Sequence, residues 1–465
     1  MMWECKKKPC LPPTNHPIEV TMHHHTVCLL CLLLSISILC GGCGTSGGLF
    51  QPSGRALSIP APPDADFVQY VRDSRNRIRE VLETVSYSSG KSPFLGDYSS
   101  RDVALMRAPF QIPEQESDVC TERSQGGGKG FLLIHGLGDS PYLMRSIADS
   151  LHRAYPCAVI RAVLLPGHGT VPGDMLNSGH EEWIRITDYG VRSFEKDDRI
   201  RELYLVGFSA GSALALRQVK DTRTPDKIKG LVLLSPAVKA KSRLIRFAGT
   251  LSLLADWESR YGERDAARYE SFSYHTAAEF YRLVSGLEKG TIGLDIPVLM
   301  AVSADDGTID APMARSFFCN SLTSKRRTLI WYRSRFTEDR GAPVCDGIVT
   351  VELSDRGQPY GDVPYRTANM SHTALPVSPD DRHYGAHGRY RNCKSYEGKG
   401  NPEDFANCQK GSPRSVFGEN IGTAEDKQAL GYDFWRRGTF NPDYERLEKT
   451  IICFVDSSCD VTGSR

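Results

Sequence analysis

Residues 203–220 read LYLVGFSAGSALALRQVK. LYLVGF (203–208) is a short apolar run of the kind that forms a strand buried on both faces. The Ala/Leu-rich stretch that follows reads as a helix from Ser209 to Lys220. Between them lies Gly207-Phe208-Ser209-Ala210-Gly211, a Gly-x-Ser-x-Gly turn that bends a strand sharply into a helix and lifts the serine at its apex. Side chains at positions 207 and 211 would collide with neighbouring backbone. A serine hydroxyl attacks poorly unless it is held exposed beside a base. In a chain with 42 glycines the five-residue pattern alone says little. A strand before it and a helix after it make Ser209 a candidate nucleophile rather than a tight structural turn.

Outward from this point, strands and helices alternate. FLLIH (131–135), CAVIRAVLL (157–165), GLVLLSP (230–236), PVLMAVSA (297–304) and TLIWYRS (328–334) read as strands; 140–155 and about 180–197 read as helices. Such alternation predicts an α/β domain with a mostly parallel sheet and helices on both faces. Residues 241–294 break the pattern. Their composition is helical, with Phe247, Trp257, Tyr261, Tyr269, Phe272, Tyr274, Phe280 and Tyr281, and they read as a cap over the sheet's C-terminal edge, or as longer connecting helices. The GGGKG segment (126–130) lacks the spacing of a phosphate loop and precedes a strand, so it reads as a turn.

Hydrolysis of an acyl bond places negative charge on the carbonyl oxygen, which preorganised N–H groups stabilise. In a strand–elbow–helix site of this type one donor is the backbone N–H after the nucleophile, here Ala210. The other comes from the loop after an early strand, here Leu137 in His135-Gly136-Leu137-Gly138. His135 ends a strand far upstream of Ser209 and reads as structural. FLLIHGLGDSP (131–141), LLPGHGT (164–170) and VGFSAG (206–211) together resemble the bacterial carboxylesterase and monoacylglycerol-lipase branch of the α/β-hydrolases, and the similar serine-aminopeptidase group. The resemblance covers about 130–375 and the final helix. It makes His168 of PGHG a loop-shaping residue.

The resemblance implies an α/β-hydrolase fold with a helical cap insertion, and the chain order nucleophile, acid, histidine. The acid belongs at the end of a late strand, where Asp305, Asp306 and Asp310 are available. Family members carry an Asp three residues before Val or Ile; Asp306 fits, with Ile309 in that position, and Asp305 is the runner-up. The histidine belongs after the last strand, where His372, His383 and His387 lie; His372, in NMSHTALP, is favoured. His372 would then take the Ser209 proton while Asp306 orients the imidazole, and an acyl-enzyme would form and be released by water. Two segments depart from the simple pattern: about 35 residues before His372, and 68 between it and a terminal helix beginning near Asn441. They either rim the site or dock on another protein.

The remainder of the chain speaks to location. Val27 to Cys40 is an apolar stretch of 14 residues, short for a membrane span and suited to the core of a signal peptide. Gly41, Gly42 and Cys43 follow, resembling a bacterial lipoprotein signal with Cys43 as the lipid-bearing residue. Cys40 in place of Leu, and His rather than Lys or Arg after Met22, depart from that pattern. An ordinary cleaved signal and an uncleaved anchor are the alternatives, and Met22 competes as the true start. Past Cys43 the cysteines are Cys120, Cys157, Cys319, Cys345, Cys393, Cys408, Cys453 and Cys459; an even number in an exported chain points to disulfides, Cys393 with Cys408 first.

The organisation expected is a leader (1–43), a Gly/Ser/Pro tether (44–63) and an N-terminal helical extension (64–125). The core follows (126–240 and 295–458, with insertions 336–365 and 375–440), with the cap at 241–294. A helix capped by Asp64 or Asp66 should run to about Ser86. The net charge of +1 and the absence of a long one-sign run argue against nucleic acid. No Cys/His cluster of zinc-ligand spacing follows Cys43, so neither metal nor cofactor is expected. The leading expectation is an exported serine hydrolase cleaving carboxylic esters, small-molecule or lipid, and either periplasmic or membrane-anchored through a lipid on Cys43. A peptidase or acyltransferase with the same triad, and a non-catalytic surface lipoprotein, are the alternatives.

Overall fold

The computed structural model describes residues 48–60, 65–86, 94–114, 120, 128–220, 226–241, 243–287, 289–324, 326–337, 343–353, 358–360, 363–397, 402–412, 414–419 and 431–457. The leader, with Cys43, lies outside the described residues, as does Cys459.

Among the described residues the strands, in chain order, are β1 (Phe110–Ile112), β2 (Gly128–Ile134), β3 (Val159–Val163), β4 (Ile200–Phe208), β5 (Ile228–Leu234), β6 (Trp257–Ser259), β7 (Phe272–Ser273), β8 (Val298–Ser303), β9 (Arg327–Arg333), β10 (Ile348–Glu352), β11 (Gln358–Tyr360), β12 (Val363–Thr367), β13 (Val416–Phe417) and β14 (Trp435–Arg436). The helices are α1 (Phe67–Val81), α2 (Ser100–Arg107), α3 (Arg145–Ala154), α4 (His180–Glu195), α5 (Ala210–Lys220), α6 (Ala248–Leu251), α7 (Tyr274–Val284), α8 (Ala311–Ser316), α9 (Pro402–Lys410) and α10 (Tyr444–Asp456).

Among the described residues, eight strands form the main sheet in the order β1-β3-β2-β4-β5-β8-β9-β10. Only β1 runs antiparallel to its neighbour within that sheet. Period-2 alternation divides each central strand between two cores. Leu132, Ile134, Leu205, Leu231 and Leu233 pack against α4 and α5, together with Phe67 and Tyr70 of α1. Phe131, Leu133, Val206, Val232 and Leu234 pack on the other face, against Ile147 and Leu151 of α3 and Leu447 and Ile451 of α10. Apolar burial on both faces is why these strands read as continuous hydrophobic runs.

The register places Ile134 opposite Gly207, Phe208 opposite Leu234, and Leu234 opposite Ala301. The C-terminal ends of β2, β4, β5 and β8 therefore open side by side. Chain order reverses across the sheet at β2, with β3 on one side and β4 on the other. The crevice at such a reversal is the usual binding position in open parallel sheets.

The structure differs from the sequence reading in four places. The N-terminal extension is not helical throughout: its β1 pairs with β3, Phe110 opposite Ala162. The segment 336–365 likewise gives β10 to the main sheet, Ile348 opposite Leu329. Gly128, Lys129 and Gly130 of the supposed turn begin β2 and pair with β4; glycine is needed at 128 and 130, where an added side chain would meet the Arg199 carbonyl (2.3 Å) and the Phe194 ring (2.8 Å). The 241–294 segment holds α6 and α7 but also the β6/β7 hairpin and a stretch without regular secondary structure from Arg260 to Ser271, so it is less helical than its composition suggests. A second, four-stranded sheet, β11-β12-β13-β14, is built from the segments around His372.

Two local readings hold. Asp66 caps α1 by accepting from the Gln69 N–H (2.8 Å), and a π-helical turn carries the chain to Ser86. Cys393 pairs with Cys408, and among the described residues Cys120 pairs with Cys157 and Cys319 with Cys345. No described helix is long and apolar enough to cross a membrane.

Candidate active site

Ser209 leaves β4 at φ +54°, a left-handed conformation that costs a non-glycine residue energy and is found where the surrounding fold imposes it. Three contacts impose it here. The Ser209 N–H donates to the Leu234 carbonyl (2.9 Å), and the Ser209 carbonyl accepts from the N–H groups of Ser212 (3.0 Å) and Ala237 (3.2 Å). The flanking glycines are sterically required. A Cβ at Gly207 would lie 2.5 Å from the Gly211 carbonyl oxygen, and one at Gly211 would lie 2.1 Å from that of Ile134.

His372 stands over this serine. Its Nε2 accepts from Ser209 Oγ at 2.9 Å, and its Nδ1 donates to Asp306 Oδ2 at 2.6 Å. Asp306 sits on the loop after β8, fully buried, and its other oxygen accepts from the N–H groups of Thr308 (2.8 Å) and Ile309 (3.0 Å). Burial alone would raise its pKa. The His372 ring and the two backbone donors outweigh burial and hold the carboxyl below the usual range.

The competing candidates are occupied elsewhere. Both oxygens of Asp305 accept from Thr337 Oγ1 (3.0 Å), and Asp310 caps α8 through the Met313 N–H (3.0 Å). His383 is buried between the Tyr98 hydroxyl and Asp265 (2.8 Å each), joining the N-terminal extension, the 241–294 segment and the insertion. His387 is exposed.

The loop carrying Leu137 is held by two histidines. His135 Nε2 accepts from the Leu165 N–H (3.0 Å), and its Nδ1 donates to the Gly136 carbonyl (2.7 Å). His168 Nε2 accepts from the Gly138 N–H (2.9 Å), and its Nδ1 faces the Leu165 and Pro166 carbonyls (3.2 and 3.1 Å). Each ring thus needs a bare Nε2 and is neutral. Burial drives both pKa values down, that of His168 to about 4 against its two carbonyl partners. His135 falls well below its ordinary value, with His168 adding to the effect of burial. Ala210 begins α5 directly after Ser209, at a helix N-terminus whose N–H groups favour negative charge.

Ser209, His372 and Leu137 line a pocket of about 440 Å³. Ala240, Ile245, Phe272, Phe280 and Ile309 make its apolar wall, and Lys241, Arg268 and Arg437 bring positive charge. Sequence reasoning missed Arg268, which pairs with Asp139 at 3.4 Å, and Arg437, which pairs with Glu419 at 2.8 Å. No local motif marks either arginine; Asp139 at least adjoins the His-Gly loop.

The sequence profile of the alpha/beta hydrolase family matches residues 131–382, more than half of the chain, and the chain belongs to that family. It is 22% identical over 215 residues to a carboxylesterase of Bacillus subtilis, covering 45% of this chain and 84% of the relative. It is 30% identical over 116 residues to a thermostable monoacylglycerol lipase of Bacillus sp., covering 25% of this chain and 43% of the relative, less than half of that enzyme's length. Among solved structures, the monoacylglycerol lipase of Paleococcus ferrophilus is 22% identical with a TM-score of 0.37, covering 44% of this chain and 86% of that one.

Proposed function

We propose that the protein is a serine hydrolase that cleaves carboxylic esters, with Ser209 as nucleophile, His372 as general base and then acid, and Asp306 orienting the imidazole. The observation that carries this reading is the unbroken chain of hydrogen bonds from Asp306 through His372 to a serine at positive φ, on the floor of a pocket. His372 Nε2 removes the Ser209 proton as Oγ attacks the ester carbonyl. The backbone N–H groups of Leu137 and Ala210 receive the oxyanion. The protonated imidazole then returns its proton to the leaving alcohol, and water repeats the sequence on the acyl-enzyme. Asp306, buried and ionised, stabilises the imidazolium that exists between these steps. The apolar pocket wall suits an acyl chain, and the names of the two bacterial relatives point the same way.

A fluorophosphonate probe tests the nucleophile: it should label the folded protein at Ser209, and Ser209→Ala should abolish both labelling and turnover of p-nitrophenyl esters. Turnover retained in Ser209→Ala would refute the reading. Esters of graded chain length, assayed beside aminoacyl amides, separate esterase and lipase activity from the peptidase alternative.

We also propose that the enzyme is exported, which the disulfides support, and anchored by lipid on Cys43. Mass spectrometry of the mature N-terminus checks the anchor; an unacylated or differently cleaved N-terminus would end it.

A further inference from the structure

The insertion after His372 delivers two charged residues beside His372, one of which, Arg437, also lines the pocket. β12 pairs in parallel with β13, and β13 with β14, so the three strands end on one side. The chain leaving β12 reaches His372, that leaving β13 reaches Glu419, and that leaving β14 reaches Arg437. Glu419 Oε2 accepts from the backbone N–H of His372 itself (3.0 Å). Arg437 grips the same carboxylate twice, Nε to Oε2 (3.0 Å) and Nη2 to Oε1 (2.8 Å). The same Nη2 donates to Thr308 Oγ1 (3.0 Å), on the loop whose N–H groups hold Asp306. Gly307 leaves room for this arrangement, since a Cβ there would meet Glu419 Oε1 at 2.6 Å.

We infer that Glu419, clamped by Arg437, is a positioning residue that fixes the base-bearing and acid-bearing loops relative to Ser209. The inference rests on the triad reading above. The Glu419 side chain is only 9% exposed, and a carboxylate so placed is costly unless paired. The bidentate arginine meets that requirement and leaves Oε2 aimed at the His372 N–H. The pair thus transmits the geometry of the second sheet to His372 and the Asp306 loop. Misplacing a catalytic group by about 1 Å costs on the order of a hundredfold in rate, so the effect should fall on kcat.

The test compares Glu419→Ala with Glu419→Gln in the full chain. Gln keeps an oxygen for the His372 N–H; Ala does not. Glu419→Ala should lower kcat for p-nitrophenyl esters about ten- to a hundredfold with KM within about twofold, and should slow fluorophosphonate labelling in parallel. Glu419→Gln should recover most of the loss. Full activity in Glu419→Ala, or equal loss in both variants, would overturn the inference. Ser209→Ala, run alongside, separates the two ideas. Turnover that survives it defeats the triad reading, whereas turnover that depends on Ser209 but not on Glu419 defeats only the brace. Should Glu419→Ala not fold, Thr308→Val, which removes the Arg437 contact to the acid loop alone, should lower kcat at unchanged KM. Unchanged kcat there would also refute the inference.

Discussion

Replacing His168 by Gln should make the protein more tolerant of mild acid. The imidazole is buried as the neutral form, with Nε2 accepting from the Gly138 N–H. Its pKa in the folded chain is about 4, below the 6.5 of an unfolded histidine. Between those values the unfolded chain binds a proton that the folded chain refuses, so stability is complete above pH 6.5 and drains away as pH falls toward 4. Linkage puts the loss at pH 5.5 at about 1.4 kcal/mol for this one group. His135, depressed in the same direction, adds to it. Asp306 contributes nothing in this window: its carboxyl is held below the usual range, and that stabilisation is lost only in stronger acid. A glutamine offers an oxygen to Gly138 and an amide to the Pro166 carbonyl without titrating. Urea unfolding at pH 7.5 and 5.5 reads the effect. The parent should lose about 1.4 kcal/mol more than His168→Gln over that interval. An equal loss in the two proteins would refute the claim that a neutral His168 locks the loop. The same measurement on His135→Gln tests its partner.

Asp306→Asn should cost about 10³- to 10⁴-fold in kcat, since an amide no longer fixes the His372 tautomer, whereas Asp305→Asn should cost no more than about fivefold because its carboxylate faces Thr337. Steady-state kinetics on one chromogenic ester decides the order, and a reversed order would move the acid. Gly211→Ala should yield insoluble or inactive protein, its methyl falling 2.1 Å from the Ile134 carbonyl oxygen; a soluble, active variant would contradict the tightness of the elbow. Removing the Cys393–Cys408 bridge with Cys393→Ser and Cys408→Ser opens a 15-residue separation. It should cost about 3 kcal/mol on the chain-entropy account, seen as a lower melting temperature. It should also lower kcat, because the Asn392 carbonyl holds the Arg437 N–H and the Cys408 carbonyl holds the Arg436 guanidinium.

The fold was legible where burial on both faces writes an unbroken apolar run, as in FLLIH and LYLVGF. It was hidden where pairing is supplied from outside the segment. Phe110–Ile112 is too short to show a period and becomes a strand only because β3 offers its edge. Val416–Phe417 and Trp435–Arg436 are dipeptides whose partners lie far off in the chain. The triad candidates were readable because each sits at the mouth of a recognisable strand or in a short motif. Glu419 was not, since 47 residues separate it from the histidine it holds. No periodicity or motif marks a residue that acts through a backbone N–H. The second His–Asp pair, His383 with Asp265, was likewise invisible, because one partner lies in the cap region and the other in the insertion.

The two outer strands of the main sheet bear on how such a chain survives at high local concentration. An exposed strand edge is a template on which another copy can add, and long flat edges invite aggregation. Here one border is β1, only three residues long and ended by Pro113, which has no N–H to offer. The other border is β10, with Thr350 and Glu352 turned to solvent and Glu352 beside Arg333 at 3.6 Å. Segments that read as peripheral additions thus close the sheet against its own kind: the same residues that extend it by a strand on each side make a further strand hard to add.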